Sequence, residues 1–594
     1  MRIAVLDPDR CQPHKCNHEC ESYCPPVRNG VEVFGWSPSD GKPLISETLC
    51  IGCGICVHKC PFGAISIVNV ADELKTDLVH QYSLNGFRVF RLPTPRAGQV
   101  VGLLGPNGIG KTTTMSILAG DLRPNLGNFE APPAWDAILQ EYAGTELHDF
   151  LKRVADGKVR PAVKPQYVDK LPKVAKGRVR DLLERVDERS RLDEVAAALD
   201  LVPVLSRETP ELSGGELQRV AVAATLLKDA DIYFFDEPSS YLDIYQRLNV
   251  ARQIKAIPHS KMVVVIEHDL AILDFLADTV YLMYGKESVY GVLAQPRPVS
   301  SAINTYISGL AAEENVRFRE RAIQFEVVPA REGWSSQVVV EFGRLAKRYD
   351  SFLLRSEPGQ IHVGETVGVV GPNATGKTTF VKMLAGVVKP TEGAVEATVK
   401  VAYKPQYLEG TFTGTVEDLM LTALGGTFGS PIYKAEIERP LKIPPLLSKE
   451  VPTLSGGELQ RVAVALALCQ EADLYLFDEP SAYLDADQRM ETARALRRVM
   501  EKRARAALVV DHDVYFLDLV ADSIMVFGGR PGVEGLSRGP FGLREGMNEF
   551  LKGAGVTFRR DKETKRPRIN KQGSQLDKHQ KEIGEYYYAE EPGA

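Results

Sequence analysis

"LSGGELQRVAVA" stands at residues 212–223 and again, unchanged, at 454–465. Around each copy the same landmarks recur in the same order: a "GPN" loop, a "KPQY" segment, the run itself, then "FDEPS". The chain therefore contains a duplication. Asp236 and Asp478 are 242 residues apart and Gln166 and Gln406 are 240 apart, but Gly105 and Gly371 are 266 apart. The first copy thus holds about 26 extra residues between its loop and Gln166. They include "GTELHDFLKRVADGKVR", residues 144–160, where Leu147, Phe150, Leu151 and Val154 recur at helical spacing before Gly157 interrupts. That pattern predicts a short helix and turn. An insertion in one copy alone suggests a private partner; a tolerated surface loop is the alternative.

At 594 residues the chain is too long for one hydrophobic core, so three or four domains are expected. A composition of 44% hydrophobic and 25% charged residues is that of a soluble globular protein. The net charge of -6 gives no global attraction to nucleic acid, so any such binding must come from local basic patches. Apolar runs such as "KMVVVI" are strand-sized and far short of a membrane span, and "MRIAVLDPDR" does not lead into a signal core. A cytoplasmic location is expected. The layout reads as a cysteine-rich domain (1–72), a first nucleotide-binding half (73–295), a hinge or linker (296–335), a second half (336–528) and a C-terminal hinge with a basic tail (529–594). The linker ends on Arg317, Arg319 and Arg321, and the tail carries Arg559, Arg560, Lys562, Lys565, Arg566, Arg568 and Lys571. These runs read either as solvated surface or as nucleic-acid contacts.

"GPNGIGKTT" (105–113) and "GPNATGKTT" (371–379) both match the phosphate loop G-x-x-x-x-G-K-[ST], each between an apolar strand and a helix. Its glycines turn backbone N–H groups onto phosphate oxygens, and the helix N-terminus adds partial positive charge. The expected phosphate-binding residues are Gly105, Asn107, Gly108, Gly110, Lys111, Thr112 and Thr113, and Gly371, Asn373, Gly376, Lys377, Thr378 and Thr379. Strands "IYFFDEP" and "LYLFDEP" deliver carboxylates beside these loops. Asp236 and Asp478 are expected in the Mg²⁺ shell, with Thr112, Gln166, Thr378 and Gln406 as ligands, and Glu237 and Glu479 are expected to position the attacking water. His268 and His512, at matched offsets downstream, are candidate γ-phosphate sensors. Tyr82, Phe87, Tyr349 and Phe352 are candidates to stack on adenine, or else core residues.

These motifs resemble the ABC-type ATPase family. The resemblance implies two halves that sandwich two ATP molecules head to tail, the signature of one covering the γ-phosphate held by the other. One site then combines Lys111, Gln166, Asp236, Glu237 and His268 with Ser455, Gly456 and Gly457. The other combines Lys377, Gln406, Asp478, Glu479 and His512 with Ser213, Gly214 and Gly215. Both retain every motif, so both are expected to hydrolyse ATP.

Eight of the nine cysteines lie between Cys11 and Cys60, a density that reads as metal ligation rather than disulfides. Cys50, Cys53, Cys56 and Cys60-Pro61 have the C-x2-C-x2-C-x3-C-P spacing of bacterial ferredoxins, in which the fourth cysteine ligates the other cluster. Cys11, Cys16, Cys20 and Cys24-Pro25 are stretched to x4, x3 and x3. Two [4Fe–4S] clusters suit this set: Cys50, Cys53, Cys56 and Cys24 on one, Cys11, Cys16, Cys20 and Cys60 on the other. Zinc is the competing metal, because four cysteines are also a zinc set.

A ferredoxin-like front joined to two intact ABC halves is similar to the E-type ABC ATPases, the archaeal and eukaryotic ribosome-recycling factors of the RNase L inhibitor family, over essentially the whole chain. The fold expected is α/β: two ABC-type P-loop domains in tandem behind an N-terminal α+β iron–sulfur domain. The resemblance implies ATP-driven splitting of ribosomes with a release factor or Pelota-like partner, and retention on the small subunit, where initiation factors are further candidate partners. It also implies a monomer whose two halves pair with each other and, for 144–160 and the basic hinges, contact with small-subunit RNA, with Arg317, Arg319, Arg559 and Arg560 as candidates. The rival readings are an ATP-gated iron–sulfur electron carrier and the soluble component of a transporter.

Overall fold

The computed structural model describes residues 2–8, 10–38, 40–46, 49–69, 77–314, 316–319, 322–325, 337–396, 399–406, 412–425 and 428–587. Arg321 and residues 326–335 of the linker lie outside the described residues.

Apolar runs that carry no polar alternation suit strands covered on both faces, and they form the centre of two sheets. In the first, strands Thr279–Lys286, Val100–Leu104, Met262–Ile266, Ile232–Asp236 and Pro161–Lys164 lie side by side in that order, all parallel. Leu78–Gln81, Arg88–Phe90 and Tyr290–Leu293 extend the far edge. The second sheet repeats the order with Ser523–Arg530, Thr366–Val370, Ala506–Val510, Leu474–Asp478 and Val401–Lys404, flanked by Leu345–Arg348, Leu353–Ser356 and Glu534–Gly542. The duplicated sequence is a duplicated fold. The second sheet runs on past residue 528, because strand Ser523–Arg530 pairs with Glu534–Gly542.

The parallel register aligns functional groups. Ile266 pairs with Asp236 and Val510 with Asp478, so His268 and His512 leave the sheet beside the carboxylates. Strands Val100–Leu104 and Thr366–Val370 end at the same edge, just before their phosphate loops. This is the carboxyl edge of a doubly wound sheet, where ligands bind.

The N-terminal domain is small. Strand Arg2–Leu6 pairs antiparallel with Ile65–Asn69, and Phe34–Trp36 with Pro43–Ile45. Its core holds Ala4, Val33, Ile45, Ala64 and Ile65 together with Cys20, Cys24 and Cys56, too little apolar volume to dispense with internal staples.

The inserted segment is a pair of helices, Trp135–Glu141 and Glu146–Ala155. Thr145 caps the second, its hydroxyl accepting from the His148 N–H, and Leu147, Phe150 and Leu151 pack into the cluster that holds Ile117 and Leu118. The first helix has no apolar stripe to betray it, since it buries only Ile138.

Within the basic runs Arg317, Lys562, Lys565 and Lys571 are exposed, whereas the tail's arginines turn inward. Arg566 is fully buried, with its guanidinium donating to Asp274 of the first half at 3.1 Å and to the Tyr515 hydroxyl of the second at 2.8 Å. Arg568 also takes Asp274, at 2.7 Å, and Arg560 forks onto Asp518 at 2.8 and 3.0 Å. Arg559 donates to Asn570, and Arg319 pairs with Asp487 at 2.7 Å. The candidate RNA contacts Arg319, Arg559 and Arg560 are thus engaged within the protein, where the tail joins the two halves. Arg566→Ala removes one of the two guanidiniums on Asp274, leaving Arg568, and strips the buried Tyr515 hydroxyl of its donor, so it is expected to cost about 1–3 kcal/mol of stability. Chemical denaturation followed by intrinsic fluorescence checks this, with unfolding of the halves at separate denaturant concentrations as the accompanying signature.

Candidate functional site

Each phosphate loop wraps its own lysine. Lys111 Nζ donates to the carbonyls of Gly105 at 2.9 Å and Pro106 at 2.6 Å, and Lys377 does the same to Gly371 and Pro372 at 2.9 and 2.7 Å. Burial lowers both lysines, Lys377 to about 8. Gly110 and Gly376 take φ of +94° and +92°, with the rings of Phe87 and Phe352 lying where a Cβ would stand. Of the other adenine candidates, Tyr82 is exposed with its hydroxyl 3.1 Å from Thr113 Oγ1, and Tyr349 is exposed beside Lys347.

The Thr112 hydroxyl donates to Asp236 Oδ2 at 3.2 Å. Burial, reinforced by Glu237, pushes Asp236 up to about 6. Burial also raises Asp478, although Thr378 lies close enough to oppose the rise, and neither Asp478 oxygen has a hydrogen-bond partner in bonding geometry among the described residues.

Glu237 and Glu479 both have φ of +49°, a left-handed backbone that non-glycine residues adopt only when their surroundings enforce it. The enforcement comes from residues that motif reading missed. Lys164 Nζ, buried in a strand and lowered by that burial to about 8, donates to the carbonyls of Asp236 at 2.8 Å and Glu237 at 3.2 Å. Gln218 Nε2 adds a third bond to the Glu237 carbonyl at 2.7 Å. Lys404 and Gln460 repeat the arrangement on Asp478 and Glu479. The sequence signal was available: a lysine inside an apolar strand, present in both copies of "KPQY".

The side chains converge as well. Gln166 Nε2 donates to Glu237 Oε1 at 2.6 Å and Gln406 Nε2 to Glu479 Oε1 at 2.7 Å. His268 and His512 Nε2 each lie 3.7 Å from the same oxygens. Burial holds both imidazoles well below their ordinary value, and neither Nε2 has a hydrogen-bond partner among the described residues. Each glutamate therefore faces a neutral histidine.

The signature serines cap the helices that follow them. Ser213 heads Gly214–Leu226 and Ser455 heads Gly456–Cys469, each in a reciprocal box with the glutamate three residues on. Behind each signature runs a segment that crosses to the other half. The Tyr483 carbonyl would meet a Cβ on Gly457 at 2.8 Å, and two residues later Asp485 Oδ2 accepts the N–H of Asn107 at 3.1 Å. Reciprocally, Tyr241 packs on Gly214 and Gly215, and Asp243 Oδ2 accepts the N–H of Asn373 at 2.8 Å. The signature of one half thus stands beside the phosphate loop of the other. Asp243 and Asp485 fall in "SSYLD" and "SAYLD" just after the acids, where no local spacing marks their role.

The eight N-terminal cysteines line two cavities. One is bounded by Cys11, Cys16, Cys20 and Cys60 with Trp36, Phe62 and Ile65, the other by Cys24, Cys50, Cys53 and Cys56 with Val33, Phe34 and Ile45. No group of three or more His, Cys, Asp or Glu among the described residues is gathered tightly enough for a single metal ion. Burial pushes Cys20 up to about 12 and Cys11 to about 11, and neighbouring thiols of the same cavity add to both. An iron–sulfur core held by these cysteines would offset that repulsion among thiolates.

Family comparison agrees with this geometry. The model described as ABC transporter matches residues 94–240 and 358–482. Those described as a possible Fer4-like domain in RNase L inhibitor and as a 4Fe-4S binding domain match 1–32 and 43–66. The translation initiation factor RLI1 of Saccharomyces cerevisiae is 44% identical, aligned over 100% of this chain and 99% of its own. The chain belongs to the RNase L inhibitor, or ABCE1, family. Archaeal ABCE1, in a structure titled as a model of ribosome-bound archaeal Pelota and ABCE1, is 52% identical over 99% of both chains, with a TM-score of 0.94. An archaeal ribosome recycling factor solved with the ribosomal stalk protein aP1 is 51% identical over 87% of this chain and 100% of its own, with a TM-score of 0.83. As a member of this family the chain is an iron–sulfur ATPase of the ABC type.

Two outcomes follow from the geometry. Asp485→Ala removes both a helix cap, worth about 1 kcal/mol, and the bond to Asn107, and Asp243→Ala does the same opposite Asn373. Each is expected to weaken ATP binding at the loop it touches, read by titrating a fluorescent ATP analogue with the opposite site disabled. Asp236 keeps its proton below about pH 6, so divalent-cation-dependent nucleotide binding at the Lys111 site is expected to fall about tenfold per pH unit below that point and to be constant above it. The same titration between pH 5 and pH 8 checks it.

Proposed function

We propose that this chain splits ribosomes into subunits, using ATP-driven closure of its two halves to move the iron–sulfur domain. The observation that carries the reading is how that domain is seated. Asn85 of the first half donates to the carbonyls of Ala4 and Ile45 and accepts the Ile45 N–H at 2.7 Å, while Lys286 reaches Ser66 at 2.7 Å. Arg10 meanwhile donates to the Pro445 carbonyl of the second half at 2.9 Å. A change in spacing between the halves therefore displaces a domain fastened to one and touching the other. The two structural relatives, one ribosome-bound with Pelota and one in complex with a ribosomal stalk protein, support a Pelota-like protein, the ribosome and its stalk as partner classes, to which the proposal adds a release factor and the small subunit. Initiation factors belong to the same stage, and the work is done in the cytoplasm by a monomer.

The domains divide the task as 1–72 (iron–sulfur), 73–295 and 336–528 (nucleotide-binding, the latter's sheet completed by Glu534–Gly542), with 296–335 and the rest of 529–594 as hinges. Within each composite site the lysine and the opposite signature hold the phosphates, the glutamate orients water, and the neutral histidine faces the γ-phosphate. Mg²⁺ fits beside the orphaned oxygens of Asp478, with Thr378 and Gln406, and correspondingly beside Asp236, Thr112 and Gln166. When bound it supplies charge neutralisation of the phosphates. Two [4Fe–4S] clusters fit the two thiol sets, Cys11, Cys16, Cys20 and Cys60, and Cys24, Cys50, Cys53 and Cys56, and would brace the lever when bound.

Sucrose-gradient sedimentation of ribosomes with the protein, a Pelota-like factor and ATP is expected to show subunit separation. Glu237→Gln with Glu479→Gln is expected to bind ATP, slow hydrolysis by at least about a hundredfold and remain with the small subunit. Intact ribosomes with the wild-type protein, and none of it migrating with small subunits, count against the reading.

A further inference from the structure

Neither ring nitrogen of His268 has a hydrogen-bond partner among the described residues, so the ring's place beside Glu237 is set by its backbone. That backbone is pinned on both sides. The N–H groups of His268 and Asp269 both donate to Glu267 Oε1, at 2.8 and 3.0 Å, and Asp269 Oδ1 caps helix Leu270–Leu276 by accepting the N–H groups of Ala271 and Ile272. Asp269 Oδ2 takes the Arg247 guanidinium at 2.6 Å. The same guanidinium donates through Nε to the Leu242 carbonyl at 2.7 Å, and the next residue, Asp243, accepts the N–H of Asn373 from the opposite phosphate loop. The second half repeats these links. Arg489 donates to Asp513 at 3.0 Å and to the Leu484 carbonyl at 2.8 Å, beside Asp485 and Asn107, while Asp511 accepts the N–H of His512. The side chains of Arg247 and Arg489 are only 9% and 12% exposed. Burial raises Asp269, Asp513 adds to the rise and both guanidiniums oppose it, so the two pairs form one charge cluster between the halves.

We propose that Arg247 and Arg489 are positioning residues for His268 and His512. Each forks between the turn that carries its histidine and the turn that carries the aspartate reaching the other half's phosphate loop. A planar guanidinium, with donors in fixed directions, sets the spacing and the angle of those two turns together, which a single ammonium cannot do. The His268 ring, with no side-chain partner of its own, has only this backbone seat to bring Nε2 to Glu237 and, when ATP is bound, to the γ-phosphate. Displacing it by about 1 Å costs rate rather than affinity, because the phosphates stay held by the lysine and the loop. A buried ion pair that merely stapled the core would act on stability and not through the histidine. The proposal rests on the assignment of His268 and His512 to the reaction.

The test measures steady-state ATP turnover by the full chain with Glu479→Gln silencing one site, so that the rate reports the Lys111 site. Arg247→Met is expected to lower kcat about tenfold while the KM for ATP stays within about twofold. In the same background the Arg247→Met, His268→Ala double variant is expected to turn over no more slowly than His268→Ala alone, because the arginine acts through the ring that has been removed. Arg247→Lys, which keeps a cation beside Asp269 but cannot fork, is expected to lose rate in the same way, and it carries the cycle if Arg247→Met does not fold. Arg489→Met and His512→Ala in a Glu237→Gln background repeat the cycle at the Lys377 site. Losses that multiply in the double variant overturn the proposal, because the arginine then acts by another route. So does a raised KM at unchanged kcat, or turnover that neither Arg247 variant alters. A His268→Ala variant as fast as its parent instead overturns the assignment of the histidine itself, and the inference falls with it.

Discussion

In each half one carboxylate is divided between its own helix and the opposite phosphate loop. Asp243 Oδ1 accepts the N–H of Gln246 at 3.0 Å and its Oδ2 that of Asn373, and Asp485 does the same for Gln488 at 2.8 Å and Asn107. Such an aspartate cannot be moved to suit the far half without uncapping the near one. The two ATP sites are consequently built from both halves at once, and each is sensitive to the spacing between them. Arg566, buried between Asp274 and Tyr515, ties the halves together with the C-terminal tail.

The same economy holds the acids. A left-handed backbone at Glu237 and Glu479 costs of order 1–3 kcal/mol each, and it brings the carboxylate to the glutamine and histidine. Three buried donor bonds from one lysine and one glutamine stabilise that turn. Burial lowers the lysine, yet its pKa near 8 leaves it mostly protonated at neutral pH, so the carbonyls meet a cation rather than a neutral amine.

Legibility followed whether a residue's partner was near in sequence. The phosphate loops, the acids and the cysteine spacing were readable because a short stretch of chain supplies the whole geometry. Helix Trp135–Glu141 was not, because it buries one residue and shows no stripe. The inward pairing of the tail's arginines was not legible either, because charge along the chain says nothing about Asp274, which reaches Arg566 and Arg568 across 292 and 294 residues. Lys164 and Gln218 lay inside recognised motifs, but their hydrogen bonds to the turn emerge only when strand, helix and turn are folded together.

The sequence by itself determined the duplication, the α/β class of each half, the two phosphate loops with their acids, and the thiol-rich front. These depend on local spacing and on hydrophobic pattern, which the chain carries in one dimension. The tertiary structure alone decided that the tail's arginines bind inward, that Asp243 and Asp485 reach the opposite phosphate loops, and that Lys164 and Gln218 hold the turn at Glu237. Those are contacts between groups far apart in sequence, and a hydrogen bond or buried ion pair exists only where folding has fixed distance and angle together.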